Sequence, residues 1–442
     1  MLKKIFIIIS FFLTTFQPVN AKEYDLESIL KLAVENNKQI KLAHSDLDFA
    51  SAQMKEAIST ALPKINLDFG YNRNFLENLF FFTIQDEETG ETKTQSFKAS
   101  FSNEYQFNAV LNQTIFSFGK VGNAIQAAKY FKEYTGFQFN NRWQIVITQV
   151  KKAFYQALLL QKVWEVAKQS EKSAKDNFNN LKTKFEAGVL SEFDLLQAEV
   201  RWMNSIPQTM QAGKDYEIAV NRLKNLVDIP LRAEITLIGG LSSYPAIPDT
   251  MDLQQIFAQR PDYKALLWEK KLQKKRIAIE SSNHYPSLDG SLIYTYGARS
   301  DLFKLENDND NIILGISLRV PVFSGGYTGA QVQKARVDAA RVKTRISIAN
   351  DDIRIELQNI MLRMREARER ILAAQKSVAV ARKAYEIAES RVEHGLSTQL
   401  ELKDSRVFLD QAQLNFYKAI YDFLDAYFDW EKSTGKVSTA NL

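Results

Sequence analysis

The chain writes itself twice. Shifted by 207 residues, KFEAGVLSEFDLL (184–196) aligns with the stretch around VEHGLSTQLEL (392–402), placing Gly188 on Gly395 and Leu195 on Leu402. At the same offset IFSFGKVGNAIQAAK (115–129) falls on VFSGGYTGAQVQKAR (322–336), pairing Phe116 with Phe323 and Gly119 with Gly326. Upstream, ALPKINLDFGY (61–71) matches HYPSLDGSLIY (284–294) at an offset of 223, because the first half carries a longer segment between its strand-like runs. A repeat of about 200 residues is too long for a short-period solenoid and implies a duplicated fold. The Pro- and Gly-containing segment 228–251 joins a first repeat, 22–227, to a second, 252–435, with 436–442 left as a tail.

Residues 1–21 have the layout of a secretory signal peptide: Lys3 and Lys4, an apolar run, then Val19-Asn20-Ala21 before the cut. The remaining chain has no apolar stretch of 18 residues, so no transmembrane helix is expected. An exported chain without one is either soluble or a barrel, since a spanning backbone must satisfy its hydrogen bonds internally.

Two runs in each half alternate with the period of a strand. Ile65, Leu67, Phe69 and Tyr71 alternate with Asn66, Asp68, Gly70 and Asn72; residues 97–115 continue with Phe97, Phe101, Tyr105, Phe107, Leu111 and Ile115 on one face. The second half repeats this with Leu288, Leu292, Tyr294 and Tyr296, then Ile312, Leu314, Ile316, Leu318 and Val320. One greasy and one wet face suit a strand at a boundary. The segments between the strands, LENLFFFTIQDEETGETKTQ and ARSDLFKLENDND, read as outward polar loops.

The rest reads as helix. From Val332 to Val392 apolar residues recur in steps of three and four, a heptad seam that implies left-handed supercoiling. A second stripe, Ile348, Ile355, Leu362, Ala373, Val380 and Ile387, predicts packing on two sides. The spacing predicts long helices over 121–187 and 328–394, each about 100 Å at 1.5 Å per residue. Shorter ones are expected over 28–60, 192–227, 253–283 and 398–434, stacked end to end in pairs beside each long helix. Gly188 and Gly395 stop the long helices, and Ser191 and Thr398 occupy the N-cap of the next.

An enzyme inventory is missing. There is no Cys, the three His are far apart, and GGYTG lacks the Lys of a P-loop. Asp301, Glu306, Asp308 and Asp310 could suggest a cation site, but the Gly and terminal Glu of an EF-hand are absent and a solvated loop fits better. A net charge of +5 on 442 residues does not argue for nucleic acid, and RMREARER fits the polar face of a helix. No cofactor or metal is expected.

Four strands, two long helical hairpins, an internal duplication and a signal peptide together resemble the TolC family of outer-membrane efflux proteins. The resemblance covers 22–435 and rests on ALPKI (61–65), QRPDYKA (259–265), IFSFGKVG, VFSGGYTG and the turns AGVLS and HGLST, in that order. It implies a mainly α fold with a β-barrel portion: a homotrimer whose twelve strands, four per chain, form an outer-membrane barrel in lipid. Below it, coiled-coil hairpins continue as a periplasmic α-helical barrel. It further implies an export duct for small molecules or polypeptides, with a periplasmic adaptor coupling it to an inner-membrane pump or an ABC-type secretion transporter.

By the same resemblance Gly188, Val189, Leu190, Ser191, Gly395, Leu396, Ser397 and Thr398 form the adaptor-docking tips, although the same residues also suit plain hairpin turns. Asp194, Glu401 and Asp404 match acids at the family's periplasmic gate, and a trimer would place six carboxylates from Glu401 and Asp404 around a bore. Acids early in a helix equally favour its N-terminus. The sequence departs from the pattern at Val392 and Ser397, where the TolC protein has an aromatic and an arginine, so the closing network differs. The alternative is a soluble periplasmic coiled-coil scaffold, which explains the heptads and leaves the amphipathic strands without purpose.

Overall fold

The computed structural model describes residues 22–76, 78–85, 90, 92–249 and 252–439; the expected signal peptide lies outside the described residues. In chain order the elements are β1 (Lys22–Tyr24), α1 (Leu26–Asn36), α2 (Lys38–Ser59), β2 (Lys64–Arg73), β3 (Leu79–Gln85), β4 (Thr92–Lys98), β5 (Asn103–Phe116), α3 (Lys120–Glu186) and α4 (Glu192–Leu226). There follow β6 (Ile235–Leu237), α5 (Leu253–Gln259), α6 (Pro261–Ser282), β7 (Ser287–Ser300), β8 (Asn309–Arg319), α7 (Tyr327–Glu393) and α8 (Gln399–Thr434). The two long helices have 67 residues each. Among the described residues no helix is long and apolar enough to cross a membrane.

Chain contacts define two compact units. The first gathers Ala43 and the residues before it, Asn140–Pro261, and Asp351 onward; the second gathers His44–Phe139 and Asp262–Asn350.

In the second unit β2, β5, β7 and β8 form one antiparallel sheet in that lateral order. Register turns the alternation of single strands into rows across the sheet. Ile65, Leu111, Leu292 and Leu314 form one row, and Leu67, Ala109, Tyr294 and Ile312 the next. Phe69, Phe107 and Tyr296 follow, then Tyr71, Tyr105 and Ala298. This face stays bare in the single chain; Leu314 is 77% exposed. The opposite face carries Asp68, Asn108, Thr295 and Asn311 in one row and Lys64, Asn112, Ser291 and Gly315 in another. A single apolar row, Val110, Ile293 and Ile313, interrupts it. Aromatics mark both ends of the greasy face: Phe303 packs on Tyr71 and Tyr105, while Phe118 stacks on Tyr285 at 5.3 Å.

The helices keep the order of the strands they continue. His44 meets Phe139 between α2 and α3, Tyr130 meets Trp268 between α3 and α6, and Arg345 pairs with Glu269 between α7 and α6.

Several expectations need correction. The first outward loop holds a hairpin, β3 with β4, and the strand expected over 97–115 begins only at Asn103. LFFFTI is itself an alternating run: Phe80 and Phe82 meet Phe97 across the hairpin, which removes Phe97 from the longer strand. At its base Lys98 pairs with Asp301 at 2.9 Å. Lys98 and the Ser102 amide hold the Asp301 carboxyl below the usual range. Glu306 accepts from Ser300 Oγ and Asp308 from Tyr296 Oη, so these loop acids are used locally.

The helices expected over 28–60 and 253–283 are each broken, at Asn37 and at Arg260. Asn37 Oδ1 accepts from the amides of Gln39 and Ile40, an N-cap inside what reads as continuous periodicity. Pro261, which has no N–H to donate, opens α6 after Arg260. Asn37 and Arg260 are 223 residues apart, so the breaks are one feature repeated. In the first unit β1 also pairs in parallel with β6, inside the segment read as a linker.

Candidate functional site

The helices of the first unit lie side by side as α4, α3, α8 and α7. Trp164 stacks on Tyr216 and Phe178 on Trp202 between α3 and α4. Lys152 pairs with Asp425 and Asp429 between α3 and α8, and Arg370 with Asp422 between α7 and α8. The α3–α4 and α7–α8 hairpins end in two turns that superimpose residue for residue in their hydrogen bonding.

Gly188 and Gly395 have φ of +76° and +71°. In the first turn the Gly188 amide donates to Phe185 O and Val189 to Lys184 O; in the second Gly395 donates to Val392 O and Leu396 to Arg391 O. Both are Schellman closures, which leave orphan carbonyls satisfied and need a residue at positive φ. A Cβ on either glycine would meet nothing within 4 Å, so the backbone alone demands glycine. Ser191 Oγ then accepts from the Asp194 amide and Thr398 Oγ1 from the Glu401 amide, starting α4 and α8.

What the turns present is apolar. Val189 is 75% exposed and its repeat partner Leu396 is 69% exposed. Phe193 and Leu400, also 207 residues apart, are exposed at 70% and 59%. Neither of the latter pair was singled out from sequence, although the offset that links the glycines also links them. Leu190 and Ser397 are half-buried.

The three acids expected at a gate, Asp194, Glu401 and Asp404, are not joined to one another among the described residues. Asp194 Oδ2 accepts from Ser191 Oγ at 2.6 Å, and Glu401 accepts from Ser397 Oγ. Ser397, one of the two departures from the family pattern, is thus tied to Glu401; Val392 supplies the carbonyl that accepts from Gly395. Asp404 is exposed and faces Arg201 of α4. Burial works against the Arg201 charge and Asp404 supports it, so the guanidinium stays ionised at neutral pH.

Arg201 also lines a cleft of about 420 Å³ just behind the turns, with Gln399, Lys403 and Arg406 across from it. Arg406 lies over the Tyr385 ring at 5.4 Å and pairs with Asp410 at 2.9 Å. Tyr385 donates to Glu389, and burial pushes its phenol up. The cleft is open and lined by both polar and apolar side chains.

The sequence profile of the family described as outer membrane efflux protein matches residues 29–227 and 253–436. The chain belongs to that family. Outer membrane protein TolC of Vibrio cholerae is 23% identical over 445 residues, spanning 95% of this chain and 92% of its own. The alkaline protease secretion protein AprF of Pseudomonas aeruginosa is 23% identical over 93% of this chain and 84% of its own. Among solved structures, the CmeC outer membrane channel of Campylobacter jejuni superimposes with a TM-score of 0.80 at 20% identity. That match covers 93% of this chain and 85% of CmeC. The outer membrane efflux protein of this chain is therefore an outer-membrane component of an export system, and the soluble scaffold is set aside.

Proposed function

We propose that three copies of this outer membrane efflux protein close into one duct, with the two turns docking a periplasmic adaptor and Glu401 and Asp404 ringing the entrance. The repeats 22–227 and 252–435 are then successive sectors of one wall. The observation that carries this is the repeat itself, read across the joints. Inside the chain α3 packs on α8 and β5 pairs with β7. The residues equivalent to α3 and α8 are in α7 and α4, and those equivalent to β5 and β7 are in β8 and β2. These are the outer elements of the single chain, and in the duct they meet between copies as their counterparts meet within it.

The exposed residues agree. Tyr155 of α3 lies 5.4 Å from Phe428 of α8. Their counterparts are Leu362, 62% exposed, and Asn221, beside Ile218 at 58%. Joining the open edges of β2 and β8 also removes the unpaired strand edges a membrane barrel cannot leave in lipid. Four strands are too few for a barrel, whose minimum is about eight, and three copies supply twelve. The apolar rows then face lipid and the polar rows the lumen. The cargo class is small molecules or polypeptides, taken from an inner-membrane pump or ABC-type transporter through the adaptor.

The chain has no cysteine, so a designed pair reports cleanly. Leu362→Cys with Asn221→Cys, treated with a short bismaleimide, should give a ladder on denaturing gels that stops at three chains. A product that stays monomeric, with native channel protein recovered, overturns the joint.

A further inference from the structure

The sheet repeats its own pairing. Lys64 of β2 faces Asn112 of β5, and the residues equivalent to them, Ser287 of β7 and Arg319 of β8, face each other. Gly290 with Ile316 likewise repeats Leu67 with Ala109. The two hairpins therefore share one register. The joint between them, β5 with β7, has its own, in which Asn112 faces Ser291 and Val110 faces Ile293.

That inner joint fixes how the two open edges meet in a ring. Moved forward by 207, β5 becomes β8; moved back by 223, β7 becomes β2. Asn112 and Ser291 then become Arg319 and Asp68. A neutral pair inside the chain is replaced at the edges by opposite charges. Neighbouring positions follow: Ser317 meets Gly70 on the polar face, while Leu318 meets Phe69 and Ile316 meets Tyr71 on the apolar one.

Both charges are uncommitted within the chain. Arg319 is the only charged residue on the polar face of β8, where Asn309, Asn311, Ile313, Gly315 and Ser317 precede it. It and Asp68 are exposed, and neither has an ion-pair partner among the described residues. Asp289, diagonal to Arg319 on β7, accepts from Thr114 Oγ1 at 2.9 Å and from Ser287 Oγ at 3.4 Å.

We infer that Arg319 of one copy pairs with Asp68 of the next on the lumenal face, and that this pair sets the register in which copies join. The inference rests on the open edges of β2 and β8 meeting between copies. The apolar face does not make the choice. An odd slip turns polar rows toward lipid, but a slip of two still sets apolar side chains against one another. The polar face does choose. A slip of two puts Arg319 against Asn66 or Gly70, and a slip of four against Lys64 or Asn72. Only the register inherited from the inner joint gives it an acid. Opposite charges directly across two strands attract and like charges repel, an effect of up to about fivefold for each pair. The signs also tell a β8 edge from a β2 edge, so copies add head to tail, the arrangement that closes a ring.

The test uses the full-length protein, with cysteine pairs as rulers. Ser317→Cys with Gly70→Cys matches the register; Ser317→Cys with Asn72→Cys and Ile313→Cys with Asn72→Cys match slips of two in either direction. A disulfide closes across directly opposed residues but not across a slip of two. Under mild oxidation the first pair should give a ladder on denaturing gels that stops at three chains, at least about fivefold stronger than the others. In that protein Arg319→Glu should weaken the ladder at least about threefold, and adding Asp68→Arg should restore it. A stronger ladder from a slipped pair overturns the register. So does the absence of any sheet ladder where Leu362→Cys with Asn221→Cys still reaches three chains, and either result leaves the duct standing. An undiminished ladder with Arg319→Glu, or no recovery with Asp68→Arg, overturns the ion pair. Absence of every ladder, the helical one included, overturns the three-copy duct and the pair together.

Discussion

Lys151 Nζ lies 2.7 Å from Glu431 Oε2 with 1% of the lysine side chain and 9% of the glutamate exposed. The pair joins α3 to α8, and Phe428 lies 5.3 Å beneath the ammonium. Burial pushes the Glu431 carboxyl up, with Lys151 pulling against it. Removing one partner strands the other charge, so Lys151→Met should cost about 3–5 kcal/mol of stability. Lys151→Met combined with Glu431→Leu should recover most of that loss, since a buried pair can be replaced by apolar side chains at little cost. Denaturant midpoints of the parent and the two variants decide it; a double variant as weak as the single would show that packing, not charge, is what was lost.

Two residues earlier the sign reverses. Burial raises Asp429, but hydrogen bonds from Lys152 and Arg363 outweigh it and hold the carboxyl below its ordinary value of 3.8. A depressed folded value stabilises the protein above the unfolded pKa, and that contribution is lost as pH falls through the folded one. Asp429→Asn should therefore cost about 2 kcal/mol at pH 7. The gap between variant and parent should hold above pH 3.8 and shrink in urea melts as pH falls below it. A cost that is constant with pH would place the effect elsewhere.

The two turn glycines should be interchangeable in their sensitivity. With φ near +70° and open space around both, Gly188→Val and Gly395→Val strain the backbone by about 1–2 kcal/mol each without a clash. Both variants should still assemble, while crosslinking to the adaptor and export fall. Full export by either variant argues that its turn is only a turn.

At the proposed entrance, Glu401→Gln with Asp404→Asn should remove block by a trivalent cation added from the periplasmic side and lower cation selectivity in planar bilayers. Thermal stability should barely change, because the Thr398 cap and the Ser397 hydroxyl remain and both acids are exposed. Undiminished block in the double variant puts the constriction at other residues.

Much of this architecture was legible in the sequence because it depends on backbone demands that few residues meet. Gly188 and Gly395 were readable as turns since only glycine takes that φ freely, and the strand alternation, Phe97 and Phe101 apart, reappears as rows across the sheet. The break at Asn37 was not readable. Leu30, Ala33, Ile40 and Ala43 keep one buried face straight through it, so periodicity saw a single helix where a side-chain cap divides two. The β3–β4 hairpin was missed because its apolar run is short and sits among charges. Phe193 and Leu400 were missed for another reason: an exposed aromatic looks ordinary until its repeat partner proves exposed too.

The breaks at Asn37 and Arg260 also fasten the ends of the helices stacked against them, and they do so unequally. Asn37 donates from Nδ2 to Leu226 O at 2.7 Å; Arg260, its equivalent at 223, donates to Ser433 O at 3.1 Å and also pairs with Glu356 at 2.7 Å. Leu226 and Ser433 are themselves 207 apart. A neutral amide secures one root and a charge-assisted guanidinium the other, which is the stronger kind of bond. Duplication thus left each hairpin with its own fastening, free to diverge, and the root of α4 is held by the weaker bond. If three copies close into a ring as proposed, soft and stiff staves alternate, so any opening would begin at every second hairpin and keep threefold rather than sixfold symmetry.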